Sequence, residues 1–235
     1  MKLRIHEIFY SLQGESSRVG LPTVFVRLTG CPMRCAYCDT AYAFHGGKSI
    51  ELAEILAEVA KHGTRYVTVT GGEPLAQKEC LNLLQQLCDA GYDVSLETGG
   101  AMDISGVDPR VSVILDIKTP ASDEMEKNRW ENLEHIKPGD EIKFVLCSRD
   151  DYDWAKNVVA EHSLADKCSV LFSPVYQQVN PTELAEWVLQ DKLPVRMQMQ
   201  LHKILWGEVA GKGLRRARQK KRLFCFQEGW IRPLC

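Results

Sequence analysis

Short apolar runs ending on glycine or proline alternate with stretches of helical periodicity along most of this 235-residue chain, and that alternation admits few folds. Such repeated strand–helix units stack into a parallel sheet, because parallel neighbours can be joined only through long crossovers. The spacing predicts strands over residues 23–29, 66–70, 93–98, 112–118, 141–147, 169–173 and 195–201, and helices over 49–63, 75–90, 125–135, 152–162 and 182–189. In the first helix Ser49 takes the N-cap place, Leu52, Ile55, Leu56 and Val59 form one stripe, and Gly63 is the stop. The connection over 99–110 barely reaches the length of a crossover helix, so that unit is expected to be degenerate. Six or seven strands are too few for a closed eightfold barrel, and the expected fold is α/β, a partial β/α barrel of about six parallel strands, open on one side.

In such a barrel the chemistry sits at the C-terminal strand ends, and the unusual residues lie there: Gly30-Cys31-Pro32, Gly71-Gly72-Glu73-Pro74, Gly99-Gly100 and Thr119-Pro120. A hydrophobic content of 45% suffices for one sizeable core. No apolar run approaches the ~18 residues of a membrane span, and the N-terminus lacks a secretory h-region, so a cytoplasmic protein is expected. Residues 212–235 hold eight of the 29 basic residues and one acid, giving this tail +7 and residues 1–211 a net −9. So acidic a body disfavours nucleic acid as a partner. Residues 1–211 are therefore read as one domain, and 212–235 as a basic tail, disordered or foreign to the rest.

Cys31-Pro32-Met33-Arg34-Cys35-Ala36-Tyr37-Cys38 is the sharpest chemical feature. Three of nine cysteines crowd into eight residues on a loop leaving a strand, which in a reducing compartment points to an inorganic centre rather than disulfides. No fourth ligand follows nearby, and three thiolates on a [4Fe–4S] cubane leave one iron free to bind a small molecule. The other pattern, Val69-Thr70-Gly71-Gly72-Glu73-Pro74, offers free backbone amides and a carboxylate suited to a cationic amine. Cys80, Cys88, Cys147 and Cys168 are read as small packed hydrophobes.

The CxxxCxφC spacing, with Tyr37 as the aromatic, resembles the radical S-adenosylmethionine (SAM) superfamily. Within it, Phe9-Tyr10-Ser11-Leu12-Gln13-Gly14-Glu15, Phe25-Val26-Arg27-Leu28, Cys38-Asp39-Thr40, Glu97-Thr98-Gly99-Gly100, Asp116-Ile117-Lys118 and Gln200-Leu201-His202-Lys203 resemble the 7-carboxy-7-deazaguanine synthase family. The resemblance spans residues 5 to about 206 and implies the radical SAM partial barrel. It implies a lyase of queuosine and 7-deazapurine biosynthesis, contracting 6-carboxy-5,6,7,8-tetrahydropterin to 7-carboxy-7-deazaguanine with loss of ammonia. In that chemistry the reduced cluster cleaves SAM to methionine and a 5′-deoxyadenosyl radical, hydrogen is taken from C6 of the pterin, and SAM is regenerated.

Carried over residue by residue, the resemblance makes Cys31, Cys35 and Cys38 the cluster ligands and Thr40 a Mg²⁺ ligand. Tyr37, Cys38, Asp39, Gly72, Glu73, Gly100, Asp116, Ile117 and Lys118 match SAM contacts. Leu12, Gln13, Gly14, Glu15, Arg27 and Thr98 match substrate positions, and His202, expected at the exit of the last strand, is a further candidate. Strand alternation independently turns Arg27 away from Val24, Val26 and Leu28. It would then meet either a substrate carboxylate or a barrel acid such as Glu97. A flavodoxin or ferredoxin donor and a homodimer complete the implied partners.

Two other readings stay open on the residues alone: a glycyl-radical activase of the same superfamily, and a zinc or nucleic-acid module built on the cysteines and the tail. Removal of residues 212–235 is expected to leave ring contraction intact, because the run shows no amphipathic order.

Overall fold

The computed structural model describes residues 1–207, so the basic tail lies outside the described residues. A single nine-stranded sheet, ordered β3-β1-β2-β4-β5-β6-β7-β8-β9, forms the frame. Its parallel part is β2 (Pro22–Leu28), β4 (Tyr66–Gly71), β5 (Asp93–Thr98), β6 (Ser112–Asp116), β7 (Glu141–Leu146), β8 (Ser169–Pro174) and the short β9 (Arg196–Met197). Among the described residues the two end strands, β3 and β9, do not pair, so the barrel is open.

Two strands escape the sequence pattern. β1 (Lys2–Leu12) runs antiparallel to β2, and β3 (Lys48–Glu51) runs antiparallel to β1. A register shift between Ile5 and Glu7 breaks the two-residue period of β1, which hides it from a reading by alternation. Ser49 is not an N-cap: it pairs with Arg4 inside β3, and helix α1 (Leu52–Ala60) starts three residues later behind Glu51.

The helix expected over 75–90 splits into a 3₁₀ turn, Pro74–Ala76, and α2 (Cys80–Asp89). In place of a helix over 125–135 there are two 3₁₀ turns, Met125–Lys127 and Trp130–Glu134. Asn128 bonds the backbone of Lys118, while buried Asn132 bonds Ile104, Gly100 and Met102, pinning this segment to the loops it crosses. Residues 99–110 form no helix, as expected. The last predicted strand shrinks to β9, and Leu201–Trp206 instead forms a short helix, α6.

Capping explains the cleaner helices. Ser148 accepts the Asp151 amide at the head of α3 (Arg149–Glu161), and Asn180 accepts the Thr182 amide with Pro181 opening α5 (Pro181–Asp191). A one-turn helix, α4 (Leu164–Lys167), leads into β8. Val24, Val26 and Leu28 of β2, Val67 and Val69 of β4, Val94 and Leu96 of β5, and Ile142, Phe144 and Leu146 of β7 share a core with Leu83, Leu84 and Leu87 of α2. Cys80, Cys88 and Cys168 are buried, whereas Cys147 is part exposed. Among the described residues no helix is long and apolar enough to cross a membrane.

Candidate active site

Strand parity builds the site. Residues alternate with the core set along each parallel strand, so Phe25 and Arg27, Thr70, Glu97, Ile114 and Asp116, and Lys143 and Val145 line a cavity of about 570 Å³ at the strand ends. The loop after β2 carries Cys31, Cys35 and Cys38, all part exposed and all on the cavity wall. Gly30 turns into this loop at φ +98°, a left-handed conformation that suits glycine. The loop is tied down by Ala36 N–H donating to Ser122 O at 3.0 Å, by the Arg34 amide donating to Glu124, and by buried Met33. Burial raises the Cys31 thiol and pushes Cys35 up to about 11.

The second motif locks onto the first. A Cβ on Gly72 would stand 2.3 Å from the Gly30 carbonyl oxygen and 2.8 Å from the Cys31 Cβ, so only glycine lets the end of β4 lie against the cysteine loop. Glu73 turns the other way and is fully buried. It accepts Leu75 N–H at 3.0 Å, Gly99 N–H at 2.8 Å and the Thr98 hydroxyl at 2.9 Å, while burial raises its carboxyl above the usual range. Thr98 reaches the cavity but directs its proton to Glu73.

Two unpartnered atoms mark the wall around the cysteines. Among the described residues, the Tyr37 hydroxyl and Asp116 Oδ1 are buried without a hydrogen-bond partner. Asp116 Oδ2 pairs with Lys118 at 3.0 Å, and Lys118 Nζ stands 5.7 Å from the Tyr37 ring centroid. Asp39 faces Lys203 at 3.4 Å and His202 at 3.9 Å; burial works against its charge, but the hydrogen bond from His202 and the Lys203 ammonium hold its carboxyl below the usual range. Thr40 Oγ1 lies 3.7 Å from Cys38 Sγ.

The rest of the lining is internally bonded. Gln13, 3% exposed, donates to Thr68 Oγ1 at 3.2 Å and Glu97 Oε1 at 3.1 Å. Glu15 accepts Lys143 Nζ and Gln200 Nε2, each at 2.8 Å; burial opposes its charge, yet Lys143 holds its carboxyl below the usual range. The acid that meets Arg27 is Glu7 of β1, with Nε 2.9 Å from Oε1, and not Glu97, whose oxygens are taken by Gln13 and Thr70. The Tyr42 hydroxyl also donates to Glu7, and the Arg27 guanidinium lies over the Phe9 and Tyr42 rings. His202 stands on α6 rather than on a strand exit. There Leu201 N–H donates to the Gly14 carbonyl at 2.9 Å, and a Cβ on Gly14 would lie 2.3 Å from His202 Nδ1.

The cavity thus brings together Leu12, Gln13, Gly14, Glu15, Arg27, the three cysteines, Tyr37, Asp39, Thr40, Gly72, Thr98, Asp116, Lys118 and His202. Glu73, Gly100 and Ile117 do not line it: Ile117 packs in the core, and the Gly100 carbonyl accepts Arg129 N–H. Sequence reasoning missed Glu7 and Lys143. Lys143, a lone charge between Ile142 and Phe144, carried an available signal, whereas Glu7, between His6 and Ile8, did not stand out.

A Radical SAM superfamily model matches residues 25–117. The 7-carboxy-7-deazaguanine synthase of Chlorobaculum tepidum is 50% identical over 87% of this chain and 94% of its own length. That of Koribacter versatilis is 44% identical over 87% of this chain and 97% of its own. The chain belongs to the 7-carboxy-7-deazaguanine synthase family. The crystal structure of QueE from Escherichia coli superposes with a TM-score of 0.71 at 25% identity, covering 86% of this chain and 95% of that one.

As a radical SAM member of that family, the enzyme uses a [4Fe–4S] cluster and SAM, and the residues present fit both. Three thiols facing one cavity match a cubane that takes each on a different iron. No group of three or more His, Cys, Asp or Glu among the described residues is placed to hold a single metal ion. The cavity-facing acceptor at Asp116 Oδ1 suits a ligand with amine or hydroxyl donors.

Proposed function

We propose that this enzyme contracts 6-carboxy-5,6,7,8-tetrahydropterin to 7-carboxy-7-deazaguanine with release of ammonia, in the route to queuosine. The observation that carries the reading is one cavity lined by three thiols together with Arg27 and Glu15, in a chain of this family. Cys31, Cys35 and Cys38 would hold the cluster. Tyr37 to Asp39, Gly72, Asp116 and Lys118 would hold SAM. When bound, these groups supply one-electron cleavage chemistry leading to hydrogen abstraction at C6 of the pterin.

The protein's own work is placement. Arg27, with Nε engaged by Glu7, keeps its terminal nitrogens for the substrate carboxylate. Glu15, held ionised, accepts the amino and amide N–H groups of the pterin edge. Glu73 acts from behind, fixing the Gly99 amide and the Thr98 side chain that border the cavity. Helix α6, anchored on Gly14, covers the substrate side and limits water. Thr40 offers a hard oxygen for Mg²⁺, which would orient the substrate carboxylate. The family resemblance alone supports three further parts: a flavodoxin or ferredoxin as electron donor, a homodimer, and a cytoplasmic setting.

Anaerobic incubation with SAM, a reductant and the carboxytetrahydropterin tests the reading. Deazaguanine product and ammonia are expected from a brown protein with about four irons per chain. A protein with that iron content that cleaves SAM but makes no deazaguanine would refute it.

A further inference from the structure

β7 places one charged residue where its neighbours would favour an apolar one. Ile142, Phe144 and Leu146 are fully buried in the core, and parity turns Lys143 into the cavity, its side chain 12% exposed. There Nζ lies 2.8 Å from Glu15 Oε2 and 3.6 Å from Asp116 Oδ2. Glu15 belongs to the loop that carries Gln13 and Gly14, and Asp116 ends the strand leading to Lys118. A desolvated ammonium on a strand is costly unless its partners need it, and a hydrophobic residue of similar length would fill the same space at less cost.

We infer that Lys143 is a positioning residue of the ring-contraction site, a bridge that holds the substrate-side acid Glu15 and the cofactor-side acid Asp116 at fixed spacing. The inference rests on the ring-contraction reading. Lys143 touches neither reacting group in this account; it acts through the two carboxylates. Glu15 Oε1 is occupied by Gln200, so Lys143 sets the orientation of the whole carboxyl group. Asp116 Oδ2 is shared between Lys118 and Lys143, which leaves Oδ1 as the oxygen offered to a ligand.

The charged groups around this bridge decide what its loss would do. Lys143 faces Glu15, Asp116, Glu97 of β5 and Lys118, and acts at longer range on Asp39; Glu15 also faces His202 of α6. Burial alone would raise the Glu15 carboxyl, and Lys143 leads the opposing causes. With Lys143 gone, Glu15 therefore takes up a proton at higher pH, and kcat/KM rises with pH as Glu15 ionises.

The test compares wild type, K143M, K143R and E15Q, each loaded with cluster, by kcat and KM for the carboxytetrahydropterin between about pH 6 and 8. K143M is expected to raise KM about tenfold at neutral pH with a smaller change in kcat, as fits loss of one partner of a buried pair. It should also gain a rising limb in kcat/KM where wild type is flat. K143R should restore the flat profile, and E15Q should lack the limb because no carboxyl remains to titrate. A purely structural lysine would lower thermal stability without creating a limb that depends on Glu15. K143M with full iron content, wild-type KM and a flat profile would overturn the inference. If K143M does not fold, E15Q/K143M is compared with E15Q: KM within about twofold supports the bridge, and a further tenfold loss overturns it. Wild type that makes no product would overturn the ring-contraction reading and this inference together; wild type that makes product beside an unaltered K143M would overturn the inference alone.

Discussion

The two walls of the cavity are built on opposite plans. The cysteine wall is chemically unfinished: three free thiols line it, and among the described residues the buried Tyr37 hydroxyl and one oxygen of Asp116 have no hydrogen-bond partner. The rest of the lining is already wired, with Gln13, Glu15, Arg27, Lys143 and Glu97 bonded to one another or to Glu7, Thr70 and Gln200. One wall waits for groups that complete it; the other is preorganised and has only to exchange or add hydrogen bonds. Loss of a residue should therefore be all-or-none on the first wall and graded on the second.

The largest effect is expected at the cysteines. Cys35→Ala should abolish both iron incorporation and product formation, while Cys80→Ala, in the core of α2, keeps both. Iron analysis beside turnover reads this directly, and a C35A enzyme with residual turnover would erase the contrast.

Next comes Glu73, the buried hinge between the walls. Glu73→Ala leaves the Leu75 and Gly99 amides and the Thr98 hydroxyl without their acceptor, and should cost about 3 kcal/mol of stability. Denaturant unfolding of the protein would show it, and a change under 1 kcal/mol would mean that the motif acts by direct ligand contact instead.

Arg27→Lys sharpens the graded side. Loss of the planar fork should lower kcat/KM by about 2 kcal/mol, mostly through KM, and Glu7→Gln by about 1 kcal/mol through the same parameter. Because Glu7 acts through Arg27, the double variant should be no worse than R27K by much, and strict additivity would separate the two residues. The smallest effect belongs to the tail: a chain ending at residue 211 should retain wild-type kcat/KM, and a folded, cluster-loaded truncation that makes no product would assign the tail a role.

The same contrast explains what could be read from the sequence. The cysteine wall is local, eight residues on one loop, and its chemistry stands in the spacing of Cys31, Cys35 and Cys38. Six of the seven parallel strands follow from apolar runs because each is buried on the core side in alternate positions, whereas β9 is two residues long with neither buried. The wired wall is assembled across long separations, Glu15 meeting Lys143 across 128 positions, and no local pattern encodes that meeting. Arg27 was visible as a charge turned toward the cavity, but its partner lay on β1, the strand whose bulge hides its period. The 3₁₀ turns at 125–134 show the same limit: helical spacing was present, and the backbone bonds of Asn128 and Asn132 overrode it.

Three cysteine ligands on a [4Fe–4S] cluster would leave one iron free for SAM. Electron–nuclear double resonance on the reduced protein, with SAM labelled by ¹⁵N and ¹⁷O in its amino-acid portion, tests it most directly. Hyperfine coupling to both labels is predicted, lost on washing out SAM. A cluster that shows no coupling, or a fourth side-chain ligand on that iron, would contradict the account.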